Sequence, residues 1–247
     1  MVFYYGLTDG NGKFTFDNVL AITQTVHYKS LYIALILALI STVICILLAY
    51  PLALILTSLK GKNEHLIVLI FILPMWMNFL LRTLAWQTLL ENDGAINYVL
   101  SFLHLPTIHI INTPVAIVFG MIYNFLPFMI LPLYNVIGKI DQNVLNAARD
   151  LGANYFQSLV KITLPLSVPG IISGITMVFV PSLTTFVVSE MLGGSKILLI
   201  GNVIEQEFTQ NSNWHLGSGL SIVLMIFIVI SMVITAIFDK DGEGNAL

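Results

Sequence analysis

Few side chains in this 247-residue sequence stand where they could act as nucleophile, base or metal ligand. The five histidines, His27, His65, His104, His109 and His215, are scattered. Only His104 and His109 come close, in a proline-containing loop, and two imidazoles by themselves make an interfacial pair rather than a metal shell. No His-Glu-x-x-His and no Gly-x-Ser-x-Gly occurs. The single cysteine, Cys45, lies in an apolar run, which leaves neither a disulfide framework nor a cysteine metal site. One stretch, GLTDGNGKFT, has the look of a phosphate-cradling loop, but Lys13 is followed by Phe14 where Ser or Thr would hold Mg²⁺. The expectation is a chain without an ATP site, a metal or a cofactor of its own.

What remains is a handful of polar groups within or beside very apolar runs. A charge placed in hydrocarbon costs at least about 2.5 kcal/mol, so each such group is a functional candidate. Arg82 is placed to snorkel to an interface and shares a face with Asn78, four residues earlier. A positive group would repel a cation, so Arg82 reads as structural. Glu190 follows Thr184, Thr185 and Ser189 and precedes Gly193 and Gly194. It is either a carboxylate at the mouth of a pathway, able to pair with a cationic solute, or a helix end passing into water. Trp76, Trp86 and Tyr123 offer aromatic faces to a cation, against the commoner use of tryptophan as an interfacial anchor. Glu190, Tyr123, Trp76 and Asn78 are the candidate path residues.

The elements that position these groups follow from composition. The chain is 57% hydrophobic and 9% charged, against about 25% charged in soluble domains. Its mean hydropathy is +0.91. A formal charge of -3 gives no reason to expect nucleic acid. A membrane-crossing helix needs about 20 apolar residues for roughly 30 Å of hydrocarbon. Stretches 31–58, 66–90, 114–137, 166–189 and 219–238 meet that need, and none alternates with the period of a β-barrel strand. The expected fold is an all-α integral membrane protein with five visible spans, kinked or ended locally at Pro51, Pro74, Pro127, Pro132 and Pro181.

Orientation comes from the basic residues of the loops. Lys60, Lys62, Lys139, Arg149, Lys161 and Lys240 fall on one side, and Lys13, Lys29 and Lys196 on the other, six against three. The richer side is cytoplasmic, with a tail over 239–247. Residues 1–30, 91–113 and 190–218 face outward. The first 30 residues then lie outside with no signal peptide or earlier span to carry them there. Unaided translocation of a short tail accounts for this, and so does a late start that omits one upstream helix.

On the cytoplasmic side lies the most polar stretch, NAARDLGANYFQSLVKITLP, residues 146–165. Asp141 is a suitable N-cap for a helix carrying Val144, Ala147, Ala148 and Leu151 on one face. Gly152 is placed to end it in the left-handed conformation. A second helix over 154–162 is expected to stop at Pro165. A face of small side chains admits a close backbone, which suits docking rather than lipid.

The same stretch resembles the coupling signature of ABC importer permeases: Glu-Ala-Ala, three residues, Gly, nine residues, Ile-x-Leu-Pro. Ala147, Ala148, Gly152, Ile162, Leu164 and Pro165 stand at that spacing, with Asn146 in place of the glutamate. LPMWMNFLLRTLAW, YNFLPFMILPLYNVIGKID, LPLSVPGIISG and SEMLGGSKILLIGNVIEQEF extend the likeness to the spermidine/putrescine permeases of the PotB type, from about residue 16 to 238. The resemblance implies six spans of which the first is missing here, in the MetI-like architecture. It assigns ATPase coupling to Asn146, Ala147, Ala148, Asp150, Gly152, Ile162, Leu164 and Pro165. It also implies a second permease subunit, two ATP-binding subunits that supply the ATP site, and an extracytoplasmic polyamine-binding protein. Permeases for sulfate, molybdate or iron share the motif, so it does not choose the solute. An ion-coupled secondary transporter would call for inverted repeats, which the sequence does not display. An intramembrane enzyme lacks its nucleophile and base.

Overall fold

Unbroken runs of Leu, Ile, Val and Ala offer the backbone no hydrogen-bond partner but itself, and such runs coil into helices. The computed structural model describes residues 1–59, 69 and 73–244. It is 79% helix, with no strand among the described residues. After two short helical segments, Val2–Gly6 and Asp17–Leu20, come α1 (Thr25–Ser58), α2 (Phe79–Leu90), α3 (Ala95–Phe102), α4 (Pro114–Gly138) and α5 (Gln142–Asp150). They are followed by α6 (Tyr155–Leu166), α7 (Val168–Thr184), α8 (Val187–Gly193), α9 (Ile200–Thr209) and α10 (Trp214–Gly244).

Among the described residues α1, α4 and Trp214–Ile237 of α10 are each long and apolar enough to cross a membrane, and α6 with α7, bent by 62°, makes a fourth if the pair is one span. Three of the expected spans thus appear as continuous helices. The other two do not. Lys60, Lys62 and His65, with the beginning of the expected 66–90 span, lie outside the described residues. The described part of that span is a 3₁₀ turn, Leu73–Trp76, and then α2, which starts afresh at Asn78. The expected 166–189 span ends at Thr184, and α8 resumes at Val187. Pro51, Pro127, Pro132 and Pro181 all sit inside helices and end none of them. The helix that begins at Trp214 runs through residue 238 into the expected tail.

Contacts group the chain into two units. The first comprises residues 1–41, 77–124 and 179–230. Ala34 and Ala38 of α1, Ile117 and Met121 of α4, Val188 and Leu192 of α8, Ile200 of α9 and Leu220 of α10 are buried in it. Helix α8 beds closely on α4 because residue 120 is glycine: a Cβ there would stand 2.4 Å from Leu192 Cδ1 and 2.8 Å from Val188 Cγ1. The N-terminal segment is tied down by side chains rather than by a sheet. Asn18 Nδ2 donates to the Thr8 carbonyl (2.9 Å), and His215 Nδ1 stands 2.6 Å from the same oxygen. Loop 91–113 is closed by Asn97, 3% exposed, which donates to the Ile108 carbonyl (2.8 Å) and accepts the Ile108 amide (2.7 Å).

The break between α7 and α8 is stitched by one amide. Asn202 Nδ2 donates to the Phe186 carbonyl (3.1 Å), while Asn202 Oδ1 accepts from the Leu199 amide (3.2 Å) and from the Ser189 hydroxyl. Asn202 is 4% exposed and Ser189 fully buried, so these groups have each other in place of water.

The second unit comprises residues 42–76, 125–178 and 231–247. Ala49 and Ala53 of α1, Met129, Leu133 and Ile137 of α4 and Val178 of α7 form its core. Thr176 donates to Thr235 across to α10 (3.1 Å).

Removing the amide at 202 leaves the Leu199 amide unmade, at about 1–3 kcal/mol, whereas the Phe186 carbonyl keeps the Glu190 amide (2.9 Å) and the Ser189 hydroxyl keeps the Phe186 carbonyl (2.9 Å). Asn202→Ala should therefore cost about 1–3 kcal/mol, and Ser189→Ala about 1 kcal/mol. Thermal unfolding of the purified complex in detergent reads this. An Asn202→Ala transition at the parent temperature would dismiss the stitch.

Candidate functional site

The segment from Asp141 to Ser167 is built from local rules. The Asp141 carboxylate accepts from the Asn143 amide (2.9 Å), the expected N-cap of α5. The far end closes as a Schellman motif: the Ala153 amide donates to the Ala148 carbonyl (2.9 Å) and the Gly152 amide to the Arg149 carbonyl (2.8 Å). Gly152 has φ +83°, and no atom lies within 4 Å of the place a Cβ would take. The requirement for glycine is thus set by the backbone and not by space. Asn154 then opens α6 with a reciprocal box, accepting from the Gln157 amide (2.8 Å) while Gln157 Oε1 accepts from the Asn154 amide (2.9 Å).

Pro165 does not stop this helix. Leu159–Thr163 widens into a π-turn, with the Leu164 amide bonding the Leu159 carbonyl five residues back. The wider turn relieves the clash that proline makes with the carbonyl four residues before it. The helix ends instead at Leu166, and the 62° bend into α7 follows. Ser167, fully buried at the bend, donates to the Leu164 carbonyl (2.9 Å) and so accepts from the Tyr50 hydroxyl (3.0 Å).

The expected single small-residue face is divided. Ala148 is turned inward, 8% exposed, and Leu145 is half-buried. Leu145 and Arg149 help close a cavity of about 190 Å³ with Leu54, Thr57, Ile137 and Ser158. Ala147 and Val144 point outward with Leu151, which is 89% exposed. Tyr155 and Phe156 continue that bare surface at 72% and 69% exposed. Asn146 and Asp150 are exposed as well, as are Leu164 and Pro165, while Ile162 is half-buried. Leu151, Gly152, Gln157, Lys161 and Ile162 border a cleft of about 300 Å³. The two adjacent alanines therefore do different work: Ala148 seats the helix, and Ala147 belongs to the open side.

Each candidate path residue has its own setting. Asn78 is the N-cap of α2, accepting the Leu80 and Leu81 amides (2.9 and 3.3 Å). Arg82 is buried rather than snorkelling, 6% exposed, with its guanidinium 5.9 Å from the Phe79 ring and 5.7 Å from the Tyr123 ring. Tyr123, which also meets Trp86 edge-on at 5.1 Å, thus already carries a cation supplied by the chain. Trp76 is 76% exposed. Glu190 is exposed on α8, beyond the break rather than at the end of a span. His109 is held by Asn92 (2.8 Å) and Thr107 (3.1 Å), with no cluster of metal-binding side chains among the described residues.

Asn202 was not among the expected residues, though its place three residues after Leu199 is the spacing of a side chain that reaches back to cap a helix start. Glu205, on the same helix, was also passed over. Its signal is the first of two carboxylates, Glu205 and Glu207, that follow the apolar start of the run LLIGNVIEQEF.

The family described as binding-protein-dependent transport system inner membrane component matches residues 49–241. The chain is 39% identical over 219 residues to the spermidine/putrescine transport system permease protein PotB of Haemophilus influenzae, covering 87% of this chain and 76% of that one. It is 39% identical over 223 residues to PotB of Escherichia coli, covering 90% and 81%. Among solved structures, a bacterial ABC transporter involved in the import of the acidic polysaccharide alginate contains a chain that superposes with a TM-score of 0.79 at 18% identity, over 98% of this chain and 88% of that one. The same comparison with an alginate transporter in complex with its alginate pentasaccharide-bound periplasmic protein gives 0.73 at 16% identity, over 88% and 79%. At those identities the solved structures speak for the fold alone. With apolar helices of spanning length and a family match over most of its residues, the chain belongs to the inner membrane components of binding-protein-dependent transport systems, and is a membrane-embedded permease of an ABC importer.

Proposed function

We propose that this permease imports spermidine or putrescine, and that segment 146–165 docks an ATP-binding partner. The observation that carries the solute is the 39% identity to the PotB permeases over about nine-tenths of the chain. The docking reading rests on the open side of α5, where Leu151 stands 89% exposed beside Tyr155 and Phe156. Bare apolar side chains of that size on a polar segment are what a protein partner covers. In this reading ATP is bound and hydrolysed by two partner subunits, and the chain holds no cofactor. A second permease subunit completes the pathway, and an extracytoplasmic protein delivers the amine. The six-to-three division of basic residues sets segment 138–165 in the cytoplasm and residues 1–30, 91–113 and 190–218 outside. ATP binding draws the ATPase pair together, moves α5 and α6 with it, and biases the spans between inward- and outward-facing states. Glu190, exposed after the break, is an outer contact for the amine.

The complex reconstituted in liposomes should take up labelled spermidine or putrescine only when ATP and the binding protein are both supplied. Uptake of sulfate or iron instead, with no amine flux, would refute the solute.

Docking has its own test. Leu151→Asp removes an anchor of the kind whose loss costs at least about 1.4 kcal/mol, a tenfold loss of ATPase affinity. Gly152→Val adds about 1–2 kcal/mol of left-handed strain to the Schellman turn. Both should lower ATPase co-purification and coupled hydrolysis while leaving the membrane helices folded. Asn146→Glu should be tolerated. Full coupling in both of the first two variants would reduce the segment to a loop.

Glu190→Gln should lower uptake with assembly intact. Unchanged uptake kinetics would leave Glu190 as a solvent-exposed helix residue.

A further inference from the structure

The break in the 166–189 stretch does more than interrupt a span. Thr184, the last residue of α7, and Phe186, the N-cap of α8, border a cleft of about 420 Å³ whose other walls are α9 and the aliphatic side of α10. That volume falls within the range of about 300–1,000 Å³ used by small-molecule sites. The one charged side chain among its described lining residues is an anion. Glu205 contributes a carboxylate, with one oxygen accepting from the Thr209 hydroxyl (2.8 Å). Phe186 and Phe208 supply two aromatic rings, and Phe208 is held in place by Trp214, edge-on at 5.4 Å. The C-terminal end of α7, the negative pole of that helix, borders the cleft at Thr184. Ser221 adds a hydroxyl, and no Lys, Arg or His is among the described residues that line it.

We propose that this cleft binds the ammonium end of an aliphatic amine, with Glu205 as its counter-ion and the Phe186 and Phe208 rings against its cationic head and first methylenes. The chemistry selects that class. A carboxylate, a helix C-terminus and two π faces all attract positive charge and repel anions. The mostly apolar remainder suits a methylene chain. An alkylammonium matches such a lining, since it supplies a counter-charge for the carboxylate and hydrocarbon for the apolar wall. The proposal deepens the polyamine reading and rests on it for the transported solute. It differs from the Glu190 contact, because Glu190 is not among the residues that line the cleft.

The test uses the assembled complex with Cys45→Ala and Ser221→Cys, so that a single thiol reports on the cleft. Spermidine and propylammonium should slow maleimide labelling of that cysteine, and butanol, of similar size and uncharged, should not. In the same background Glu205→Gln should raise the protecting concentration at least about tenfold, the loss of one charge-assisted contact, and Glu205→Asp should raise it less. The labelling rate without amine, equal in all variants, shows that the cleft is intact. Protection that is indifferent to Glu205, or butanol acting as well as the amines, overturns the proposal. So does a cysteine that is shielded in the complex and unmoved by amines, which means that a protein neighbour fills the cleft. Spermidine import by the Cys45→Ala parent is measured alongside. Amine protection without any import would sink the polyamine function and leave the cleft standing, whereas import without protection would do the reverse.

Discussion

A helix that stops within an apolar environment leaves carbonyl and amide groups that water does not reach, and each must find a partner or cost several kcal/mol. In this permease that obligation falls at residues 185–186, between α7 and α8. Asn202 meets it with both ends of one amide, answering a carbonyl, an amide and a hydroxyl at once. The packing around the break hangs on this. It fixes the start of α9 at Leu199, and the position of α9 in turn sets where Glu205 and Phe208 face. It also allows α8 to lie against α4 at Gly120 instead of continuing the line of α7.

Neutral amides do much of this tying. Asn97 closes loop 91–113, Asn18 holds the N-terminal segment, Asn154 opens α6, and Asn124, 1% exposed, donates to the Gly120 carbonyl at 2.9 Å. An amide carries donor and acceptor together and has no charge to desolvate, so it fastens backbone at modest expense. Charge is kept for places where something else compensates it. Arg82 is buried beside two aromatic rings.

The segment from Asp141 to Ser167 was legible because its rules are local. Asp141 as cap and Gly152 at positive φ follow from residue type and spacing within a single turn. The break at 185–186 was not, since hydropathy averages over a window and the run 166–189 carries no charge to interrupt it. The residue that permits the break, Asn202, lies outside that window. Nor could letters separate Ala147 from Ala148. The two are identical in propensity, and only the packing of α5 against its neighbours turns one in and the other out. Pro165 misled for a related reason: the rule that proline ends helices presumes a regular α-ladder, and the π-turn before it is a tertiary accommodation.

That π-turn has a consequence for how this stretch can vary. Each residue in an α-helix turns the chain by about 100°. A π-turn holds one residue more than the regular ladder, so the surfaces of Tyr155–Ser158 and of Leu164–Leu166 stand out of phase by about that angle. Deleting one residue between 159 and 163 would bring them into phase, swinging the whole outward side of α5 around the helix axis and pressing Pro165 back into a ladder that rejects it. The stretch can exchange one apolar letter for another, yet its count of residues is held fixed. Here length, more than composition, is what selection must guard.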